Sequence, residues 1–318
     1  MRTRASSGRQ AARRWRPWPA ACLALIAASA QAQDLGHKIL GTLGLQAGSQ
    51  APTGLYVADQ LLFYSSNDLF ARGGTRIPIP FALRVVANEV GVSGSYEIRP
   101  IHTFVSASLA LPIANVTGGV GDVRGSIDAF GLADAFIQPL ALGWRLPRLD
   151  VQVGYAFYVP TGRFEPGGAG GVSSGSWSHE LSFGGTVAFD RARSWQLSAL
   201  ASYELNQRKI GTDITRGSTL QLQGGLGKTL SRVVDLGVVG YGLWQVSDDS
   251  GADLPPILRG ARDRVYGVGT ELDLTLAEAR ARLAIRYTHE LGSESRPQGQ
   301  ALVVALSFTP WRPRPARR

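Results

Sequence analysis

From Gly54 onward the apolar side chains recur at every second position. The stretch from Leu149 to Val159 is the clearest case. Leu149, Val151, Val153, Tyr155, Phe157 and Val159 share one face, and Asp150, Gln152, Gly154, Ala156 and Tyr158 share the other. Side chains alternate across a strand, so a period of two predicts β-structure with one apolar face and one polar or small face. The same alternation runs from Trp195 to Asn206, Tyr266 to Leu276, Arg282 to Glu290 and Leu302 to Phe308. Twelve segments are predicted in all: 54–64, 82–96, 101–113, 128–144, 148–160, 176–189, 194–206, 218–230, 233–246, 263–276, 281–291 and 300–309. Pro139 falls inside the fourth and marks a bulge or an end there, because proline cannot donate to a ladder.

The links between these segments alternate in length. Short ones fall at Ile98–Pro100, Arg145–Pro147, Asp190–Arg193, Ser231–Arg232 and Ala277–Arg280, and long ones at 65–81, 114–127, 161–175, 207–217, 247–262 and 292–299. An even strand count, short turns at one end and long loops at the other are the pattern of outer-membrane barrels. Aromatics support it: Trp144, Phe189 and Trp195 lie at the short-turn ends, Trp177 and Trp244 at the long-loop ends, as two interfacial girdles would require. The predicted fold is therefore all-β, a transmembrane antiparallel up-and-down β-barrel of about 12 strands, spanning residues 54–309. A soluble sandwich or lipocalin-like barrel would turn its apolar face inward and has no need of alternating loop lengths.

Composition changes the picture mainly at the ends. Residues 1–32 combine six arginines, a short apolar run from Ala20 to Ala28 and a final Ala30-Gln31-Ala32, which reads as a signal peptide removed after Ala32. The one cysteine, Cys22, leaves with it, so the mature chain is expected to hold neither a disulfide nor a thiolate metal site. The formal charge of +9 is carried by those arginines and by four more in the basic Arg/Pro tail, residues 310–318. The body between them is close to neutral, and a nucleic-acid surface needs clustered charge on the folded body, so no nucleic-acid partner is expected. Residues 33–53 precede the first strand, either as a periplasmic segment or tucked into the lumen as a plug.

Several stretches carry a family resemblance: Gly36 to Gly44 (GHKILGTLG), Gly131 to Trp144 (GLADAFIQPLALGW), Tyr158 to Gly167 (YVPTGRFEPG), Tyr203 to Ser218 (YELNQRKIGTDITRGS) and Gly240 to Gly251 (GYGLWQVSDDSG). They resemble the SphA-like, "MetA-pathway of phenol degradation" family of outer-membrane transporters. The resemblance implies a barrel encoded alongside aromatic or lipid catabolism with a role in uptake, and it brings no set of functional residues with it. One departure is that Phe308, where a terminal aromatic commonly ends such barrels, is followed by Thr309-Pro310-Trp311 and the tail.

Motifs for chemistry are few. Gly171-Val172-Ser173-Ser174-Gly175 fits G-x-S-x-G but lacks the strand–turn–helix context of a nucleophile elbow. Gly224 to Thr229 lacks the first glycine of a phosphate loop, and Lys228 reads instead as a snorkelling interfacial lysine. His37, His102, His179 and His289 share no metal-ligand spacing, and Asp248, Asp249 and Asp253 read as solvated loop charge. No cofactor, metal or catalytic residue is expected. Parity places Asp150, Glu180, Glu204, Asp235, Glu271, Asp273, Arg282, Arg286 and Glu290 toward the lumen. A turn at Glu278-Ala279 would set Glu271 opposite Arg286 and Asp273 opposite Ala284, so these charges either brace the interior or tune passage. The leading expectation is a passive channel for small apolar or aromatic solutes, partnered by outer-membrane lipid and the barrel-assembly machinery. A barrel enzyme acting on lipids and a structural or adhesion barrel are the alternatives.

Overall fold

The computed structural model describes His37 and residues 40–121, 123–166 and 170–313, with backbone only for 123–126. The expected signal peptide and most of the tail lie outside the described residues. Thirteen strands run in chain order: β1 (Gly54–Leu69), β2 (Phe81–Ile98), β3 (Thr103–Val120), β4 (Val123–Leu132), β5 (Ala135–Arg145), β6 (Leu149–Val159), β7 (Ser178–Ala188), β8 (Trp195–Asn206), β9 (Thr219–Thr229), β10 (Val234–Gln245), β11 (Arg264–Leu276), β12 (Ala281–Glu294) and β13 (Pro297–Trp311). Every pairing is antiparallel. The last strand returns to the first, from Leu55↔Trp311 to Leu69↔Pro297, and closes the wall. β4 and β5 both pair with β3, one above the other, so they fill a single place in a twelve-stranded barrel. Closure is what a bilayer demands, since lipid offers nothing to an open strand edge.

The apolar stripes face outward. Leu181, Phe183, Leu222, Val238, Val268 and Leu306 are all exposed, and the residues next to them along each strand point to the lumen. At the periplasmic rim Lys228 lies over the Trp195 ring at 5.0 Å. At the outer rim Trp244 donates its indole N–H to the Tyr266 hydroxyl at 3.1 Å. Amphipathic rings of this kind sit at headgroup level and fix the depth of the barrel.

Two of the expected long loops are corrected. Residues 114–127 are mostly ladder: β3 runs on to Val120 and turns tightly back to Val123. Likewise β12 and β13 reach Glu294 and Pro297 and leave only Ser295 and Arg296 between them. The reason is that β2 and β3, at 18 residues each, rise beyond the bilayer, whereas β6, β7 and β9 have 11. Above the lipid the outer face no longer needs apolar residues, so the alternation fades while the hydrogen bonds continue. The long connections that remain are 70–80, 160–177, 207–218 and 246–263.

The fourth predicted strand is also corrected, because it is broken in two. Its lower half bulges at Pro139, with register shifts between Ile137 and Leu140 and, on the facing strand, between Ser106 and Ser108. Its upper half, β4, pairs with β3 alone. The wall therefore has one unpaired edge among the described strands. It lies beside Phe130 and Leu132, which face outward, with Phe130 at 76% exposure.

Candidate functional site

The interior divides along the barrel axis. On the side of β1 to β4 and β13 it is largely apolar, with Glu89 of β2 sharing the inward face of Ala87. Leu62, Ala87, Ala114, Ala301 and Val303 form one cluster, and Leu69, Phe81, Leu83 and Val120 form another above it, with Tyr64 and Val85 touching both. Val172, from the 160–177 connection, packs on the first cluster and lies next to Gly131 at the unpaired edge.

The opposite side, from β6 to β12, carries the charges. Glu271 and Arg286 face each other across β11 and β12 and are joined at 2.8 Å, and Asp273 lies opposite Ala284. Arg282 reaches Asp273 at 2.6 Å and Asp235 at 3.4 Å. Asp150 receives Arg193 at 2.7 Å. Glu290 accepts from the hydroxyls of Tyr64 (2.7 Å) and Tyr241 (3.1 Å) and from the Gly299 N–H (2.7 Å). Glu180 faces Tyr158, whose hydroxyl lies 3.4 Å away. Paired in this way, ionised groups can stay out of bulk water without each bearing a full desolvation cost.

Onto this charged wall folds the segment before β1. Arg286 donates to the carbonyls of Gly41 (3.0 Å) and Thr42 (2.7 Å), while Glu271 accepts from the Leu45 N–H at 3.0 Å. The Gly48 N–H reaches Ser198 Oγ at 2.6 Å, Gln152 donates to the Ala47 carbonyl at 2.7 Å, and Ser49 bonds Asp150 and Thr186. Glycine is required at the two closest approaches. A β-carbon on Gly44 would fall 1.6 Å from a Glu271 oxygen, and one on Gly48 would fall 1.9 Å from the Gly185 carbonyl oxygen. Leu45 sits against Gly225, Gly227 and Gly237, where missing side chains leave it a seat.

A polar joint ties this segment to the broken strand. His37 Nδ1 faces Glu204 Oε1 at 3.1 Å, and Nε2 faces Asp134 Oδ2 at 3.2 Å and the Ser176 carbonyl at 3.1 Å. Asp134 lies between β4 and β5, and it accepts from the hydroxyls of Ser173 and Ser174 on the 160–177 connection. Tyr158 stacks on the imidazole, ring centroids 4.9 Å apart. The N-terminal segment, the 160–177 connection, the strand break and the β8 wall thus meet at one histidine.

The combination of serine, histidine and carboxylate invites comparison with a hydrolase triad, but the hydrogen bonds argue otherwise. Each ring nitrogen already faces a carboxylate oxygen, Nδ1 that of Glu204 and Nε2 that of Asp134, so neither is turned toward a serine alone. Ser174 has moreover placed its own proton on Asp134, at 2.6 Å. The joint is a clasp.

In the outer loops Asp248 is held by Arg262 at 2.7 Å, which keeps its carboxyl below the usual range. Asp249 accepts from Gly217 and Gln245, and Asp253 from the Asp213 N–H. Sequence reasoning singled out Glu204 and Glu290 but not Tyr64 and Tyr241, which bond Glu290, nor Asp134, and it named His37 only as a histidine without metal-ligand spacing. Asp134 stands between two apolar stretches in GLADAFIQPLALGW, and an acidic residue there was the one available signal.

A closed antiparallel barrel with an apolar belt outside and a paired charge ladder within is a bacterial outer-membrane β-barrel. More particularly, the chain belongs to the family described as "Putative MetA-pathway of phenol degradation", which matches residues 30–306. Among solved structures it is similar to the COG4313 outer membrane channel from Pseudomonas putida F1, with 13% identity and a TM-score of 0.72, covering 82% of this chain and 97% of that one. The CymD monoaromatic hydrocarbon channel is also similar, with 9% identity and a TM-score of 0.45, covering 82% and 89%. So is the translocator domain of the autotransporter NalP from Neisseria meningitidis, with 13% identity and a TM-score of 0.44, covering 81% and 89%. No curated protein matches the chain.

Proposed function

We propose that this protein is a passive outer-membrane channel for small apolar or aromatic molecules, with no chemistry of its own. The observation that carries the reading is the largely apolar half of the interior, which runs up to the unpaired β4 edge among the described strands. A solute entering at the outer mouth would pass along Leu83, Val85 and Leu62. It would meet the N-terminal segment on the far wall and leave sideways past Val172, between β4 and the 160–177 connection. Lipid is a favourable destination for such a solute because leaving water is what drives it. Assembly of β13 by the barrel-assembly machinery belongs to the same reading. The family to which the chain belongs, described by a phenol-degradation pathway, supports the solute class.

The test is uptake of toluene and phenol by cells that lack the native gene and carry either the wild-type chain or Val172→Trp. Wild-type uptake above the empty-vector level and a large drop in Val172→Trp support the sideways route. Equal uptake by all three strains removes the channel reading. Unchanged uptake by Val172→Trp keeps the channel and removes the exit.

A further inference from the structure

The two-residue turn between β12 and β13 holds a second polar feature, which neither the charge ladder nor the clasp uses. Ser295 adopts a left-handed backbone conformation, with φ of 54°, which a non-glycine residue takes up only at a cost. The next residue, Arg296, is only 5% exposed despite lying in an outer turn. Its guanidinium Nε and Nη1 have no hydrogen-bond partner, and neither does the buried Ser295 hydroxyl. The one carboxylate near it is Glu290, 4.0 Å from Nη2. That carboxylate is already engaged by Tyr64, Tyr241 and the Gly299 N–H. The next acid within electrostatic reach, Asp263, is held by Arg216 at 3.0 Å.

A buried guanidinium that leaves donors unused is expensive, and evolution normally supplies an acceptor. The surroundings indicate what that acceptor would be attached to. The Arg296 carbonyl accepts from the Phe70 N–H, and Leu69 pairs with Pro297, so the turn is stitched to the top of the apolar half. Tyr64, within the field of Arg296, packs on both apolar clusters. A flat cation therefore stands beside an aromatic and aliphatic surface. A planar carboxylate matches the guanidinium fork, and a ring attached to it would match the apolar side.

We propose that Arg296 is a binding site at the outer mouth for the carboxylate of an aromatic acid, with the ring lying against Tyr64 and the apolar clusters. The inference rests on the channel reading and narrows it: the entry favours ring-bearing anions over their neutral counterparts of equal size.

The experiment uses the full-length protein in liposomes, with benzoate and toluene as probes and Arg296→Gln and Arg296→Lys as variants. Benzoate flux should fall about tenfold in Arg296→Gln, as expected for the loss of a charge-assisted hydrogen bond. It should recover in part in Arg296→Lys, and toluene flux should hold in both. Folding is checked by heat-modifiable migration in gels. Quenching of tyrosine fluorescence by benzoate in the wild-type protein gives a readout that needs no variant. Benzoate flux equal in wild type and Arg296→Gln, or no saturable benzoate effect on wild-type fluorescence, overturns the site. Loss of toluene flux from the wild type would instead overturn the channel reading beneath it.

Discussion

The two halves of the interior solve the problem of filling a narrow barrel in opposite ways. The wall from β1 to β4 with β13 fills most of its space with its own aliphatic side chains. The wall from β6 to β12 presents carboxylates, guanidiniums and amides. It is completed by a separate stretch of chain whose backbone supplies the missing donors and acceptors. The lesson is that a polar wall can hold a removable occupant and an apolar wall can offer a slide. Buried polar groups are costly when left alone, whereas apolar surface is indifferent to which apolar neighbour it meets.

The sharpest way to break this comparison is to unseat the occupant without touching the wall. Gly48→Val places a side chain where the Gly185 carbonyl oxygen already stands. Because the clash is with backbone, the segment must leave. Planar-bilayer recordings should change from a closed or flickering trace to steady conductance, the largest effect expected of any single change here. A closed trace in the variant would mean that the segment is not what occludes the pore.

A step smaller is the clasp. His37→Leu leaves Asp134 and Glu204 buried without the ring that bridges them, and breaking a buried pair by removing one partner costs about 3–5 kcal/mol. Much of that cost can be relieved by release of the segment. Proteolysis of residues 40–53 should therefore become rapid while the barrel itself stays folded in gels. Leu62→Ala tests the other half. Cutting back a buried leucine costs about 2–5 kcal/mol. The loss should appear as a lower unfolding midpoint in detergent, with protection of the N-terminal segment unchanged. Equal loosening of the segment by both variants would show that the two halves are not independent.

How much of this was legible beforehand depended on which residues had to face lipid. Within the bilayer, period-two alternation is enforced by the solvent. The strands from β6 to β11 and the Glu271↔Arg286 register could therefore be read from residues such as Leu149, Trp195 and Leu272. Above the bilayer that pressure disappears, and Gly118 and Gly119, which read as loop, turned out to be ladder paired with Leu83 and Ala82. The clasp was hidden for a different reason. His37, Asp134 and Glu204 are far apart in the chain and share no spacing. Only closure of the barrel brings them within hydrogen-bond reach.

The smallest effect concerns the turns beneath each half. Under the charged side, the β7–β8 turn is held by Asp190, which accepts from the Trp195 N–H at 3.0 Å and from Ser194 Oγ at 2.9 Å. Those bonds favour the ionised form, the Trp195 N–H most, and keep its carboxyl below the usual range. Because the folded pKa is depressed, the contribution is fully present above the ordinary carboxylate range and is lost as pH falls through the lowered value. The β2–β3 turn under the apolar side has no such group and relies on the left-handed His102 and its N–H bond to the Arg99 carbonyl. Acidification should therefore lower the protection factor of the Trp195 amide, its exchange measured against the intrinsic rate at each pH, while leaving that of the His102 amide unchanged, and Asp190→Asn should flatten the first response. If protection fell equally in both turns, the pH sensitivity would belong to the barrel as a whole and not to its charged side.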